Sequence, residues 1–259
     1  MADAPLHDLD TVDSTNTLAK RLAGNGTPDG TVVSARIQTA GRGRHARRWD
    51  SPAGNLHWSM VVRPRDDDPP VWSLSMVAAL ALHELVSRHA TAPESVKIKW
   101  PNDVLVDGAK IAGILLESGD GPESGVGWVV VGIGLNITTP PAGDLPYPTT
   151  HLNAIARQPT DRDTVLPELT TAFRTARAAW RRDGLRGTRE AMATLLAGLG
   201  GSVTIRVSDR PDGTIRGTFV GLDPNGHALV DTADGTRRRI SAGDVLLGAP
   251  NAASTFPVG

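Results

Sequence analysis

The segment from Gln38 to Trp49 concentrates residues that could bind phosphate. It reads Gln-Thr-Ala-Gly-Arg-Gly-Arg-His-Ala-Arg-Arg-Trp, with arginines at 42, 44, 47 and 48. Guanidinium groups bind phosphate oxygens in bidentate fashion, and glycines let the backbone approach a ligand closely. The segment therefore predicts a loop that closes over a nucleotide once its charge is present. A solvated basic loop and an Arg-Gly nucleic-acid patch are the alternatives.

A second group is Lys97-Ile-Lys99-Trp-Pro-Asn-Asp103, followed by Lys110. Only four of the 27 basic residues are lysines, and three of them lie here, which favours a use for a compact ammonium group. Proline and asparagine interrupt the strand, so Asp103 lies at a bend where it could orient a nucleotide or help hold Mg²⁺. An Asx-type turn explains Asp103 equally well, and a solvated side chain explains Lys110.

A third group, Gly132-Ile-Gly-Leu-Asn136, ends an apolar strand. Glycines inside a strand weaken it and indicate close approach by another backbone or by a ligand. Asn136 at the strand end could hydrogen-bond a base or a carbonyl. Tight packing alone is an equally good interpretation.

Taken in order, these groups resemble the signature of the biotin–protein ligases. The resemblance covers residues 14–137 and continues into a C-terminal stretch, Gly217-Thr-Phe-Val-Gly-Leu-Asp223 with Gly226, that is similar to the family's small SH3-like domain. The matching positions are Ser14-Thr-Asn16, Gly41-Arg-Gly-Arg44, Lys99-Trp-Pro-Asn-Asp103, Lys110 with Gly113, and Gly134-Leu-Asn136.

The resemblance implies a role for each matching residue. Lys110 and Arg42 would be the catalytic pair, and the metal ligands stay unassigned. Biotin would be bound by Ser14, Thr15, Asn16, Gln38, Gly41, Arg42, Gly43, Arg44, Lys110 and Gly113. ATP would be bound by Arg44, Arg47, Trp49, Asn102, Asp103 and Asn136.

The resemblance also implies a reaction. Biotin's carboxylate would attack the α-phosphate of MgATP to give biotinyl-5′-AMP, and a lysine of a biotin carboxyl carrier domain of a carboxylase would then take the biotin. A lipoate–protein ligase and a biotin-sensing protein without turnover are the alternatives. Only 13 residues precede Ser14, too few for a DNA-binding domain, so we expect a monofunctional ligase.

Recognisable elements position these groups. Helices are expected at 14–23, 71–89, 162–182 and 188–198, and strands at 31–37, 56–62 and 126–137. Asp107-Gly108 between apolar runs predicts a β-hairpin, and Leu56, Trp58, Met60 and Val62 alternate like a half-buried strand. We expect an α+β fold: a mixed, largely antiparallel sheet packed with helices in a class II synthetase-like catalytic domain, 1–199. Residues 200–259 would form a small SH3-like β-barrel with a tail.

Bulk composition narrows the function further. The net charge of −1 argues against a nucleic-acid binder, which usually shows a basic excess. The absence of cysteine excludes disulfides, thiolate metal sites and cysteine nucleophiles. No apolar run approaches the roughly 20 residues that cross a bilayer, and the N-terminus is acidic, so we expect a soluble, cytoplasmic protein. It would be a monomer or a homodimer.

Overall fold

A seven-stranded sheet forms the centre of the fold. The computed structural model describes residues 4–121, 125–142, 145, 147–207 and 213–247. The strand order is β1-β2-β3-β7-β6-β5-β4, and every neighbouring pair is antiparallel except β1 and β2. The strands are β1 (Leu6–Val12), β2 (Val32–Gln38), β3 (Leu56–Val62), β4 (Val96–Lys99), β5 (Asp103–Val106), β6 (Ala109–Asp120) and β7 (Val126–Leu135). The expected mixed, largely antiparallel sheet is confirmed.

Helices cover both faces of this sheet. Helix α1 (Thr15–Gly24) packs on β2, β3, β6 and β7, where its alanines join a small apolar cluster. Helices α2 (Leu74–His89) and α4 (Arg162–Ala193) pack against each other, α2 on β4–β7 and α4 on β3, and a short α3 (Leu152–Ile155) lies beside α2. The core between these helices and the sheet contains Trp58, whose ring meets that of Phe173 edge-on at 5.4 Å.

One expectation about these elements is wrong and another is confirmed. Strand β3 is buried along its whole length, because α1 covers the face that the alternating pattern had assigned to solvent. Residues 162–193 form two helical segments joined at Gly184, whose φ of +69° is non-helical. The break lies at the Asp183-Gly184 position expected from the sequence, but the second segment ends at Ala193 instead of at residue 198.

A smaller antiparallel sheet follows α4. Its order is β11-β10-β9-β8-β12, with β8 (Ser202–Arg206), β9 (Thr214–Leu222), β10 (Ala228–Asp231), β11 (Arg237–Ile240) and β12 (Asp244–Leu247). Its apolar side chains belong to the same cluster as the central core. Trp100 Nε1 donates to Gly226 O at 3.1 Å, which ties the bend after β4 to this sheet. None of the described helices has the length and apolar character to span a membrane.

Candidate functional site

Two adjoining cavities lie where β5, β6 and β7 meet residues 41–49, named here the arginine loop. The larger has a volume of about 500 Å³ and the smaller about 340 Å³. Predicted site residues lining the larger are Thr15, Gln38, Arg42, Gly43, Arg44, Arg47, Trp49, Asn102, Asp103, Lys110 and Gly113. Asn136 lines the smaller. The structure therefore brings residues from widely separated segments into one site.

A carboxylate between two ammonium groups lies at the wall of the larger cavity. Asp103 Oδ1 is 2.7 Å from Lys110 Nζ, and its Oδ2 is 2.9 Å from Lys99 Nζ. Burial raises the pKa of Asp103, but the charges of Lys110 and Lys99 outweigh it and hold that pKa below its ordinary value. Neither an Asx-type turn nor a solvated Lys110 describes this arrangement, since the Lys110 side chain is only 14% exposed.

Lys110 also lies between two aromatic rings. Its Nζ is 5.3 Å from the centroid of a Trp49 ring and 5.5 Å from that of Tyr147. Both rings line both cavities, and so does Lys110. The ring faces attract a cation, so they help to hold this ammonium group at the boundary between the two cavities.

Strand glycines make the floor on which Trp49 rests. A Cβ on Gly134 would lie 2.3 Å from Trp49 Cε2, and one on Gly113 would lie 3.0 Å from Trp49 Cζ3. The two glycines are partners in the β6–β7 register. Gly132 makes room for a different side chain, because its Cβ would lie 2.1 Å from Asn16 Oδ1. These glycines therefore accept close approach by side chains of this chain.

A polar network lies beneath the larger cavity. Gln38 Oε1 accepts from the Thr15 amide at 2.8 Å and from its hydroxyl at 3.1 Å. Ser59 Oγ lies 2.8 Å from Thr15 Oγ1 and 2.7 Å from Asn16 Oδ1. Gln38 Nε2 donates to Ser51 Oγ at 2.9 Å. These bonds fix the orientation of side chains expected to meet a polar ring.

Three expected biotin residues lie beside the cavities without lining them: Ser14, Asn16 and Gly41. Ser14 precedes α1 as its N-cap, yet its hydroxyl makes no capping bond. Gly41 faces its own loop, since a Cβ there would lie 2.5 Å from Trp49 O. Asn16 belongs to the polar network beneath the larger cavity, because it is hydrogen-bonded to Ser59 and Glu117.

Each arginine of the loop that the sequence assigned a role is held by a partner. Arg42 Nη2 is 3.0 Å from Glu117 Oε2, and Arg44 Nη1 donates to Asn102 Oδ1 at 2.9 Å. Arg47 pairs with Asp244 of the small sheet. The loop closes on itself through Gly43 N to Arg47 O at 2.7 Å and Trp49 N to Gly41 O at 3.0 Å. It is a folded turn fixed at three points.

The sequence did not predict a role for several residues at the site. Tyr147 is the only tyrosine of the chain, which was the one available signal for it. Glu117 follows an apolar run on β6, and Asp244 lies in the small sheet, so neither belongs to a motif. Other lining residues without an expected role are Ile114, Leu115, Ile133, Leu145, Arg206, Val245 and Leu246.

The site residues do not fit a metal ion held by the protein. The carboxylate of Asp103 is engaged by two ammonium groups, that of Asp244 by Arg47, and that of Asp50 by the amide of Ala142. Within the described ranges, no three histidine or acidic side chains converge as metal ligands would.

Comparison with known proteins identifies the family. Residues 9–136 match the profile of the Biotin/lipoate A/B protein ligase family, and residues 198–248 match that of the Biotin protein ligase C terminal domain. A biotin--[acetyl-CoA-carboxylase] ligase of Paracoccus denitrificans is 38% identical over 91% of this chain and 98% of that protein. The chain belongs to the biotin protein ligase family.

Other relatives of this ligase family agree. The bifunctional ligase/repressor BirA of Bacillus subtilis is 33% identical over 92% of this chain and 73% of that protein. The biotin protein ligase of Aquifex aeolicus, solved in complex with biotin and ATP, superposes with a TM-score of 0.76. It is 28% identical and covers 94% of this chain and 98% of its own. The match to the C-terminal domain favours a biotin ligase over a lipoate ligase, since that domain is named for the biotin enzymes.

Proposed function

We infer that this protein is an ATP-dependent biotin ligase that forms biotinyl-5′-AMP and transfers biotin to a lysine of a biotin carboxyl carrier domain. Similarity to a named ligase over 98% of that protein's length supports the activity. The observation that carries the mechanism is Lys110, whose ammonium group lies at the boundary of two cavities. One cavity would take the acid and the other the nucleotide.

The two cavities differ in chemistry as this division requires. The larger is joined to the Thr15–Gln38 network, whose amide and hydroxyl groups suit the ureido ring of biotin. The smaller shares Trp49 and Tyr147 with the larger but is also lined by Asn136, which suits a base that stacks and hydrogen-bonds. Trp49 Nε1 is buried without a hydrogen-bond partner in the described part of the chain, so it has a donor to offer.

Lys110 would supply charge where the reaction needs it. Biotin's carboxylate oxygen must approach the α-phosphorus, and two anions repel unless a cation lies between them. The carboxylate and the phosphate would share the ammonium group, and pyrophosphate would leave as the new P–O bond forms. Asp103 would fix the position of Lys110 Nζ through the 2.7 Å contact, instead of contacting the nucleotide.

The arginine loop would cover the intermediate. Arg42, Arg44 and Arg47 line the larger cavity, so their guanidinium groups would meet phosphates that extend past Lys110 into that cavity. A covered site excludes water, which would otherwise hydrolyse the mixed anhydride. The carrier's lysine amine would then attack the acyl carbon, and AMP would leave with the charge of its phosphate compensated by Lys110.

A direct test is incubation with biotin, MgATP and a biotin carboxyl carrier domain, followed by mass spectrometry of the carrier. We expect a mass gain of one biotinyl group and release of AMP. Replacing biotin by lipoate should give no gain. Biotin binding without AMP formation would instead establish a non-catalytic sensor. Because ATP is supplied inside the cell, we propose that the enzyme acts in the cytoplasm.

A further inference from the structure

Glu117 connects the polar network, helix α1 and the arginine loop. Its carboxylate lies 2.9 Å from Asn16 Nδ2, 2.6 Å from Lys20 Nζ and 3.0 Å from Arg42 Nη2. The partners come from α1 and the arginine loop, whereas Glu117 itself is on β6. The Glu117 side chain is 20% exposed and that of Arg42 is 40% exposed, so the pair is at the cavity mouth.

We propose that Glu117 is a positioning residue that anchors Arg42, and with it the start of the arginine loop, at the mouth of the biotin cavity. The proposal rests on the proposed function and extends it to a residue outside the reacting groups. Arg44 is anchored by Asn102, and Arg47 by Asp244. Glu117 is therefore the anchor at the loop's first arginine.

The presence of two cations makes this anchor reversible. When Arg42 turns towards an anionic ligand, Lys20 stays on Glu117, so the carboxylate never loses its compensating charge. A half-buried carboxylate with a single partner would resist that release, because unpaired buried charge is costly. Arg42 also bonds Thr17 Oγ1 at 3.2 Å, a neutral contact that adds little resistance.

The charge state of Glu117 supports this role. Burial raises its pKa, but bonds from Lys20 and Asn16 and the charge of Arg42 outweigh burial and lower the pKa below its ordinary value. The carboxylate is consequently ionised throughout the neutral pH range and available to Arg42.

The test compares Glu117→Gln with Lys20→Met, two changes within one network. Glutamine keeps an acceptor for Asn16 but removes the charge that holds Arg42. The first measurement is tryptic cleavage within residues 41–49 of the free enzyme, read by mass. The second is the rate at which biotinyl-AMP leaves the enzyme. We expect Glu117→Gln to accelerate cleavage by roughly twofold to fivefold, the range for a partly exposed ion pair, but not to accelerate release of biotinyl-AMP, because Arg42 has by then left Glu117 for the ligand. Lys20→Met should accelerate neither, because Glu117 would then resist the departure of Arg42.

Two results would overturn the proposal. Equal acceleration in both variants would mean that Glu117 only fastens α1 to β6. An effect of Glu117→Gln that persists in an Arg42→Ala background would mean that it does not act through Arg42, because an anchor should lose its effect with its partner. Proteolysis needs no turnover, so an inactive wild type would refute the proposed function while cleavage still decides the anchor.

Discussion

Replacing Lys110 by methionine should abolish most adenylate formation without unfolding the protein. Methionine keeps an unbranched apolar stem in a position that is 14% exposed and removes only the ammonium group. Asp103 then retains Lys99 at 2.9 Å, so its buried charge stays compensated. The stability cost should be about 1–3 kcal/mol, the range for one charge-assisted contact, and not the larger cost of an orphaned buried charge.

The cost to catalysis should be larger. A preorganised group that stabilises charge in the transition state contributes about 2.7–4 kcal/mol, so formation of biotinyl-AMP should slow by about 10²–10³-fold. The assay is a single-turnover measurement at saturating biotin and MgATP, with the urea midpoint recorded for the same preparation. Saturation separates slower chemistry from weaker binding.

Lys99→Met is the matched control, because Lys99 contacts the same carboxylate and is similarly buried at 17% exposure. It should lose comparable stability but less than about tenfold in adenylate formation. Adenylate formation by Lys110→Met within threefold of wild type would refute the assignment. Equal losses of activity in the two variants would refute it as well, since the effect would then follow stability.

Three further outcomes follow from the structure. Burial lowers the pKa of His57 to about 4 from 6.5, so the folded protein resists protonation of this ring. The free energy of unfolding should therefore be unaffected by His57 above pH 6.5 and should fall by about 3 kcal/mol as the pH drops towards 4. The urea midpoint of His57→Gln should lack this part of the pH dependence. Gly134→Ala, whose Cβ would meet Trp49 at 2.3 Å, should raise the KM for ATP, whereas Gly24→Ala, with open space, should not. Arg42→Ala should accelerate loss of biotinyl-AMP from the enzyme, and an unchanged release rate would contradict its covering role.

Local signals predicted those parts of the fold in which neighbouring residues determine the geometry. Asp107 and Gly108 have φ angles of +49° and +80°, as the tight hairpin turn predicted by an Asp-Gly pair requires. The arginine loop likewise carries its own signal, because its glycines and arginines are adjacent in the chain. The residues that line the cavities were accordingly found mostly in motifs.

Contacts between distant segments gave no such signal. Glu117 is 75 residues from Arg42 and 97 from Lys20, and it follows the apolar run Ile114-Leu-Leu116 outside any motif. Strand β3 shows the same limit. Its Ser59 alternates with apolar residues and so indicates a solvent-facing side, but α1 covers that side and Ser59 bonds Thr15 and Asn16. A polar residue in a strand is consistent with water or with a buried network, and only the packing decides.

Two glycines, one on β6 and one on β7, explain why the site forms here. A glycine inside a strand costs stability because it adds no packing and loses conformational freedom on folding. Gly113 and Gly134 are nevertheless register partners, and the indole of Trp49 rests on both. The same indole faces Lys110 and leaves its Nε1 unsatisfied among the described residues, a further cost of about 1–3 kcal/mol. Both destabilising features lie where a nucleotide would bind. They are therefore consistent with selection of this surface for ligand binding instead of for the stability of the free protein.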